Sequence, residues 1–140
     1  MAPRAIVTRP AREAAQWVAD LQARGIAACA LPLIAIHPVS TPLLLQALHG
    51  ARQRLPSYRA VMFVSGNAVQ YFFDSYLPIA LMGQAQTATK TRAWAPGPGT
   101  VAALRQAGLP TQHIDAPAAD AAQFDSEALW QVVAPQIGPG

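Results

Sequence analysis

The 140-residue chain is 52% hydrophobic and only 12% charged, too apolar for a disordered protein and long enough to bury one domain-sized core. Its formal charge of +3 invites a nucleic-acid reading. The arginines are scattered and no aromatic ladder interleaves them, however, so the balance excludes a nucleic-acid partner and fits a small anionic ligand instead.

In chain order, one pattern occurs three times: Arg-Ala, a short apolar run, a Gly/Pro/Ser/Thr break and a helical stretch. The first copy, RAIVTRPAREAAQWVADLQARG, predicts a strand near residues 5–9 and a helix with Ala14, Trp17, Val18 and Leu21 on one side. Pro10 falls near the first helical position, and Gly25 where a left-handed cap belongs. CALPLIAI supplies the next strand, over residues 27–36, with Cys29 as a buried, inert thiol. A lone cysteine forms no intramolecular disulfide and suits a reducing compartment. The Pro-punctuated connector IHPVSTP (36–42) marks a boundary between a first portion, 1–36, and a second, 37–140.

The second copy, RAVMFVSGNAVQYFF, changes from strand-like to helical period across Ser65-Gly66-Asn67, which places Ser65 and Asn67 at the carboxyl end of a central strand. YLPIALMG is too short to span a bilayer, MAPRAIVTRP has no signal-peptide core, and LMGQAQTATKT (81–91) reads as a surface loop. These features predict a cytoplasmic protein with no membrane partner. The third copy, RAWAPGPGTVAALRQAG, sets Pro98 near a helix start, Val101, Leu104 and Ala107 inward, and Gly108 at the C-terminal cap. QHIDAP is a further strand, and SEALWQVVAPQI a last helix opened by Asp125 or Ser126. Alternating strands and helices predict an α/β fold with a parallel sheet flanked by helices.

In such sheets ligands bind outside the carboxyl ends of the strands, where helix N-termini favour anions. The three breaks, Thr8-Arg9-Pro10, Ser65-Gly66-Asn67 and Gly97-Pro98-Gly99-Thr100, share that station; ordinary caps and turns are the competing reading. Gly97, Gly99 and Ala102 also match G-x-G-x-x-A, with Asp115 where a ribose-binding acid belongs, so a dinucleotide-binding domain is an alternative. His37, His49 and His113 are far apart and no Cys/His cluster has ligand spacing, so no metal is expected. Ser65 lacks the nucleophile elbow, and Thr8-Arg9 stands where a phospho-receiver needs acids. Trp17, Phe72, Phe73, Trp94 and Trp130 read as core or interface aromatics; Tyr71 and Tyr76 stay open.

VTRPAREAAQWVADLQARGIAACALPLIAI, YRAVMFVSGNAVQYFF, APGPGTVAALRQAG and FDSEALW, in that order, resemble the uroporphyrinogen-III synthase family. The corresponding family patterns are TRP…L…G…P…I, FTSxNAV, VGxxTAxAL…G and SExL. Here Ala95-Pro96 replaces the commoner Ala-Val before the glycine. The resemblance implies a cofactor-free enzyme that takes the linear tetrapyrrole hydroxymethylbilane, removes water, inverts the last pyrrole ring and closes the macrocycle. It implies two α/β domains joined by a two-stranded connector, the first domain discontinuous. On that template residues 1–36 are the βαβ portion of an incomplete domain one and 37–140 form domain two. The implied substrate-binding residues are Thr8, Arg9, Ser65, Asn67, Gly97 and Thr100; none is assigned as acid or base. The resemblance covers about the first half of the family's sequence. The chain alone is therefore expected to be inactive, and a homodimer through the incomplete first domain is a possible arrangement. A non-catalytic anion-binding module is the other alternative.

Overall fold

The computed structural model describes residues 4–73 and 91–138. Tyr76 and positions 81–90 of the expected surface loop lie outside the described residues. The chain divides into two compact units, Met1–Pro38 and Val39–Gly140. Among the described residues no helix is long and apolar enough to cross a membrane.

Unit one is a single βαβ turn: β1 (Arg4–Val7), α1 (Ala11–Ala23) and β2 (Ala27–Ala30). The strands run parallel, with Ile6 opposite Cys29 and Val7 opposite Ala30. Pro10 is the N-cap of α1, one place before the first helical position, and Gly25 closes the helix at φ +77°, a conformation that disfavours any side chain. Strand side chains alternate between faces, and α1 contacts both strands. Val7 and Ala14 are buried, whereas Ile6 and Cys29 are exposed.

Two expectations are corrected here. Cys29 is not a buried thiol, because Ile6 and Cys29 occupy a face that no described element of this unit covers. Residues 27–36 are not one long strand either. Val7 O and Thr8 O accept from Leu31 N–H at 2.8 Å and Leu33 N–H at 3.2 Å, but β1 then turns into α1 and offers no further partner. Pro32, between those donors, falls on the opposite edge, where its missing N–H costs no bond to β1.

Unit two contains α2 (Pro42–Gln53), β3 (Ala60–Met62), α3 (Gly66–Phe72), β4 (Arg92–Trp94), α4 (Pro98–Gln106), β5 (Ile114–Asp115) and α5 (Ser126–Val133). Its sheet has the order β3-β4-β5 and is parallel throughout, with Met62 opposite Trp94 and Trp94 opposite Asp115. Among the described strands β3 is therefore at an edge, not central as its apolar run suggests. One face is closed by α3 and α4 over Phe63, Val69, Ala93, Ala95, Leu104 and Leu109. Phe63, Phe72 and Phe73 stack there edge-on and tilted, with centroids 5.1 to 5.5 Å apart, near the favoured spacing for aromatic pairs. Gly108 ends α4 at φ +92°.

Helix α5 packs by Leu129 and Val133. Asp125 is its N-cap, accepting from Ala128 N–H at 2.8 Å. It stops at Val133 and continues only as a tight 3-10 turn, Ala134–Gln136, because Pro135 cannot extend an α-helical ladder. Trp17 and Trp130 are about half exposed, at 50% and 51%, and so do not belong to the core. Helix α2 is an element that the strand-break-helix pattern does not include, although Leu44, Leu48 and Ala51 keep a helical spacing. Thr41-Pro42, N-cap and N1, marks its start, and it buries no residue.

Candidate functional site

Parallel pairing of β3 with β4 brings two βα turns to the same end of the sheet. At the first, Ser65 has an extended backbone and its Oγ accepts from Ala68 N–H at 3.1 Å, so the side chain caps α3. An added Cβ on Gly66 would sit 3.5 Å from Ala103 Cβ, which shows how closely α3 and α4 pack. Asn67 follows within the first turn of α3 and is half-buried.

At the second turn Gly97 is the extended N-cap of α4 and Pro98 its first residue. The proline removes a donor that has no helical partner in any case. Among the described residues, and apart from chain neighbours and the helix's own backbone, a Cβ on Gly97 or Gly99 would meet nothing within 4 Å. Thr100 is 94% buried, with 6% of its surface exposed, and fixes the first turn of α4 from within rather than standing open to a ligand.

The third strand of the sheet ends at Asp115, and here the dinucleotide reading loses its acid. Arg92 Nε and Nη2 donate to the two carboxylate oxygens of Asp115 at 2.5 and 2.7 Å, and Nη2 also donates to Gln112 O at 3.0 Å. The Asp115 side chain keeps only 11% exposure. A carboxylate held this way is engaged by its own sheet and is not a free acceptor for a ribose hydroxyl. The Gln136 amide also helps to stabilise its charge, whereas the buried Trp94 indole N–H has no hydrogen-bond partner among the described residues.

Thr8 and Arg9 occupy the same station in unit one, past β1 and before α1. Both are exposed. Thr8 O is taken by Leu33 N–H, and the Arg9 guanidinium pairs with Glu13, Nη2 to Oε2, at 2.6 Å. The structure thus gathers Ser65, Asn67, Gly97 and Thr100 at one end of the unit-two sheet and sets Thr8 and Arg9 at the matching turn of unit one.

Sequence reasoning missed two residues around these turns. Glu13 is signalled by its i,i+4 spacing from Arg9. Arg52 has no such signal. It reaches from α2 to donate to Phe72 O at 2.7 Å and Tyr71 O at 2.9 Å, gripping the far end of the helix that Ser65 opens.

Parallel strands, helices on their faces and small polar or glycine-rich turns at the strand ends define the class: an α/β protein of the kind that takes ligands at the carboxyl ends of its strands. Within that class, residues 15–140 match the profile of the uroporphyrinogen-III synthase HemD family. The chain belongs to that family. The match begins inside α1, so the Ser65 and Gly97 turns lie within it and Thr8 and Arg9 just before it. No curated protein matches the chain.

Proposed function

We propose that the chain acts in uroporphyrinogen-III synthesis: binding hydroxymethylbilane, removing water, inverting the last pyrrole ring and closing the macrocycle. The observation that carries this reading is the family match over residues 15–140. The paired βα turns support it physically. A carboxylate-rich tetrapyrrole suits helix N-termini, hydroxyls and an arginine. In this reading Arg9 is a carboxylate partner, Thr8, Ser65 and Asn67 offer short polar contacts, Gly97 leaves the α4 backbone approachable, and Thr100 positions that turn. No cofactor is needed, and the enzyme works in the cytoplasm.

Dehydration of the hydroxymethyl group generates a reactive azafulvene. Holding its ring geometry and excluding competing water contributes more here than any one proton donor. Residues 1–36 belong to a discontinuous first domain and 37–140 to the second. The chain alone is expected to leave hydroxymethylbilane to its spontaneous closure to the I isomer, because the described part of unit one is only two strands and a helix. That same observation favours the second reading, a non-catalytic anion-binding module.

Titration with uroporphyrin III, followed by tryptophan fluorescence, tests the ligand class. Micromolar, salt-sensitive binding is expected. Failure to bind, or micromolar binding of NAD, overturns the proposal. A coupled assay then tests the expectation of inactivity: only the I isomer is expected, and III isomer made by this chain identifies the synthase and removes that expectation.

A further inference from the structure

The unit-two sheet carries a polar cluster on the face that turns away from α3 and α4. Ala93 and Ala95 belong to the aromatic core, so Arg92 and Trp94, which alternate with them along the chain, lie on the other face. Asp115 stands opposite Trp94 in register and shares that face. The 3-10 turn after α5 meets the cluster there. Arg59, one residue before β3, donates through Nη1 to Gln136 O, and its own carbonyl accepts from Arg92 N–H at 2.9 Å. Arg92 in turn holds both oxygens of Asp115, and the Gln136 amide helps to stabilise that carboxylate. One network thus runs from all three strands to the turn.

Two atoms of this network are unmatched. Trp94 Nε1–H is a buried donor and Gln136 Oε1 a buried acceptor, and neither has a hydrogen-bond partner among the described residues. Buried polar atoms are almost always paired, because an unmade bond costs the full desolvation of the group. Here the donor and the acceptor flank the same carboxylate: Trp94 is its strand neighbour, and Gln136 reaches it through the amide. A carboxylate has about four acceptor sites. Arg92 fills two of them and the Gln136 amide a third, which leaves one.

We propose that Trp94, Gln136 and Asp115 together hold one buried water. It accepts from Trp94 Nε1–H and donates to Gln136 Oε1 and to the remaining acceptor site of Asp115. About three hydrogen bonds is the usual complement of such a water. The residue types point to water over other small ligands. An indole only donates, so it cannot ligate a cation, and the Asp115 charge repels an anion. An apolar group leaves both unmatched atoms as they are. The water makes the C-terminal turn part of the sheet's own polar network.

The test begins with nuclear magnetic resonance on the whole 140-residue chain, its tryptophans labelled with nitrogen-15. Trp94→Phe assigns the Trp94 indole signal by its loss. In the parent chain that indole proton should show a nuclear Overhauser contact to a long-lived water and exchange slowly with solvent. Trp17 and Trp130, about half exposed, are the internal references and should exchange fast. A Trp94 indole without that contact, or one exchanging as fast as the references, overturns the proposal. A double-mutant cycle by urea unfolding then asks whether Trp94 and Gln136 share a partner. Trp94→Phe with Gln136→Met should raise the unfolding constant about fivefold less than the two single changes combined, the share of one ordinary hydrogen bond. Strictly additive losses mean that the two groups act apart, and the shared water falls.

Discussion

The carboxylate of Asp115 ends β5 between two opposed influences. Burial pushes its pKa up. The hydrogen bonds from Arg92 and that residue's charge, with help from Gln136, outweigh burial and hold it below the ordinary carboxylate value. Arg92 is raised in turn, chiefly by its hydrogen bond to Asp115. Because the folded pKa of Asp115 lies below the unfolded one, the unfolded chain takes up the proton first as pH falls. The stabilisation is therefore complete above the unfolded value of about 3.9 and is lost as pH drops through the folded value. Asp115→Asn should cost roughly 1–3 kcal/mol at neutral pH, since it leaves a half-buried guanidinium short of its partner. Urea unfolding from pH 7 down to pH 2 checks both parts: the variant should be weaker at pH 7 and lose less on acidification. Equal acid sensitivity in parent and variant would place the charge effect elsewhere. The G-x-G-x-x-A spacing pointed to a free acid at this position. A local pattern cannot register that a strand neighbour 23 residues earlier in the chain occupies it.

At the scale of elements, helix α3 is seven residues held at both ends. Ser65 caps its start, and Arg52 grips Tyr71 O and Phe72 O at its finish while lying 5.9 Å from the Phe72 ring centroid. Ser65→Ala should lower stability by about 1 kcal/mol. Ser65→Asp keeps a good cap but sets a negative charge at the proposed ligand end, so it should retain the melting temperature and weaken uroporphyrin binding. Matching losses of stability and affinity in both variants would reduce Ser65 to a cap alone. Arg52→Ala removes two hydrogen bonds to carbonyls and should cost roughly 1.5–3 kcal/mol. Arg52→Lys, a point charge without the fork, should fall between parent and alanine, as thermal melts would show. These elements differ in how far they can be read from sequence. The three βα units are legible because each joins an apolar run, a break and a helical apolar stripe, and the stripe is buried at Ala14, Val69 and Leu104. Helix α2 is not, for another reason: Leu44, Leu45, Leu48 and Ala51 do keep a helical spacing, but the helix follows a Pro-punctuated connector and no apolar strand run, and it buries no residue. The length of β2 is not legible either, since CALPLIAI records hydrophobicity but not where β1 stops offering partners. Site legibility follows the same division: the turns could be located, while Thr100 burial and the Arg9–Glu13 pair depend on packing and reach.

The two units of the whole molecule differ in what they bury. Unit two closes over Phe63, Val69, Ala93, Ala95, Leu104, Leu109, Leu129 and Val133, whereas among the described residues unit one buries only Val7 and Ala14. A fragment of residues 39–140 should therefore fold alone, and one of residues 1–38 should not, because two strands and a helix cannot enclose a core. In the intact chain the amides of Leu31 and Leu33, bonded to the end of β1, should exchange with solvent much faster than those of Phe63 and Ala95, which bond within the unit-two sheet. In unit one Ile6, Leu33 and Ile34 are 61%, 70% and 60% exposed, and among the described residues its sheet has only two strands and so two open edges. Apolar edges of this kind recruit another chain, and in a solution of this protein alone the available chain is a second copy. Sedimentation should accordingly show a concentration-dependent dimer, with β1 and β2 amides gaining protection as it forms. Ile6→Lys with Leu33→Lys should abolish the dimer and leave the melting of unit two untouched, because neither residue belongs to its core. A dimer that survives both lysines, or protection confined to unit two, would move the contact away from the two-stranded sheet and sink this arrangement.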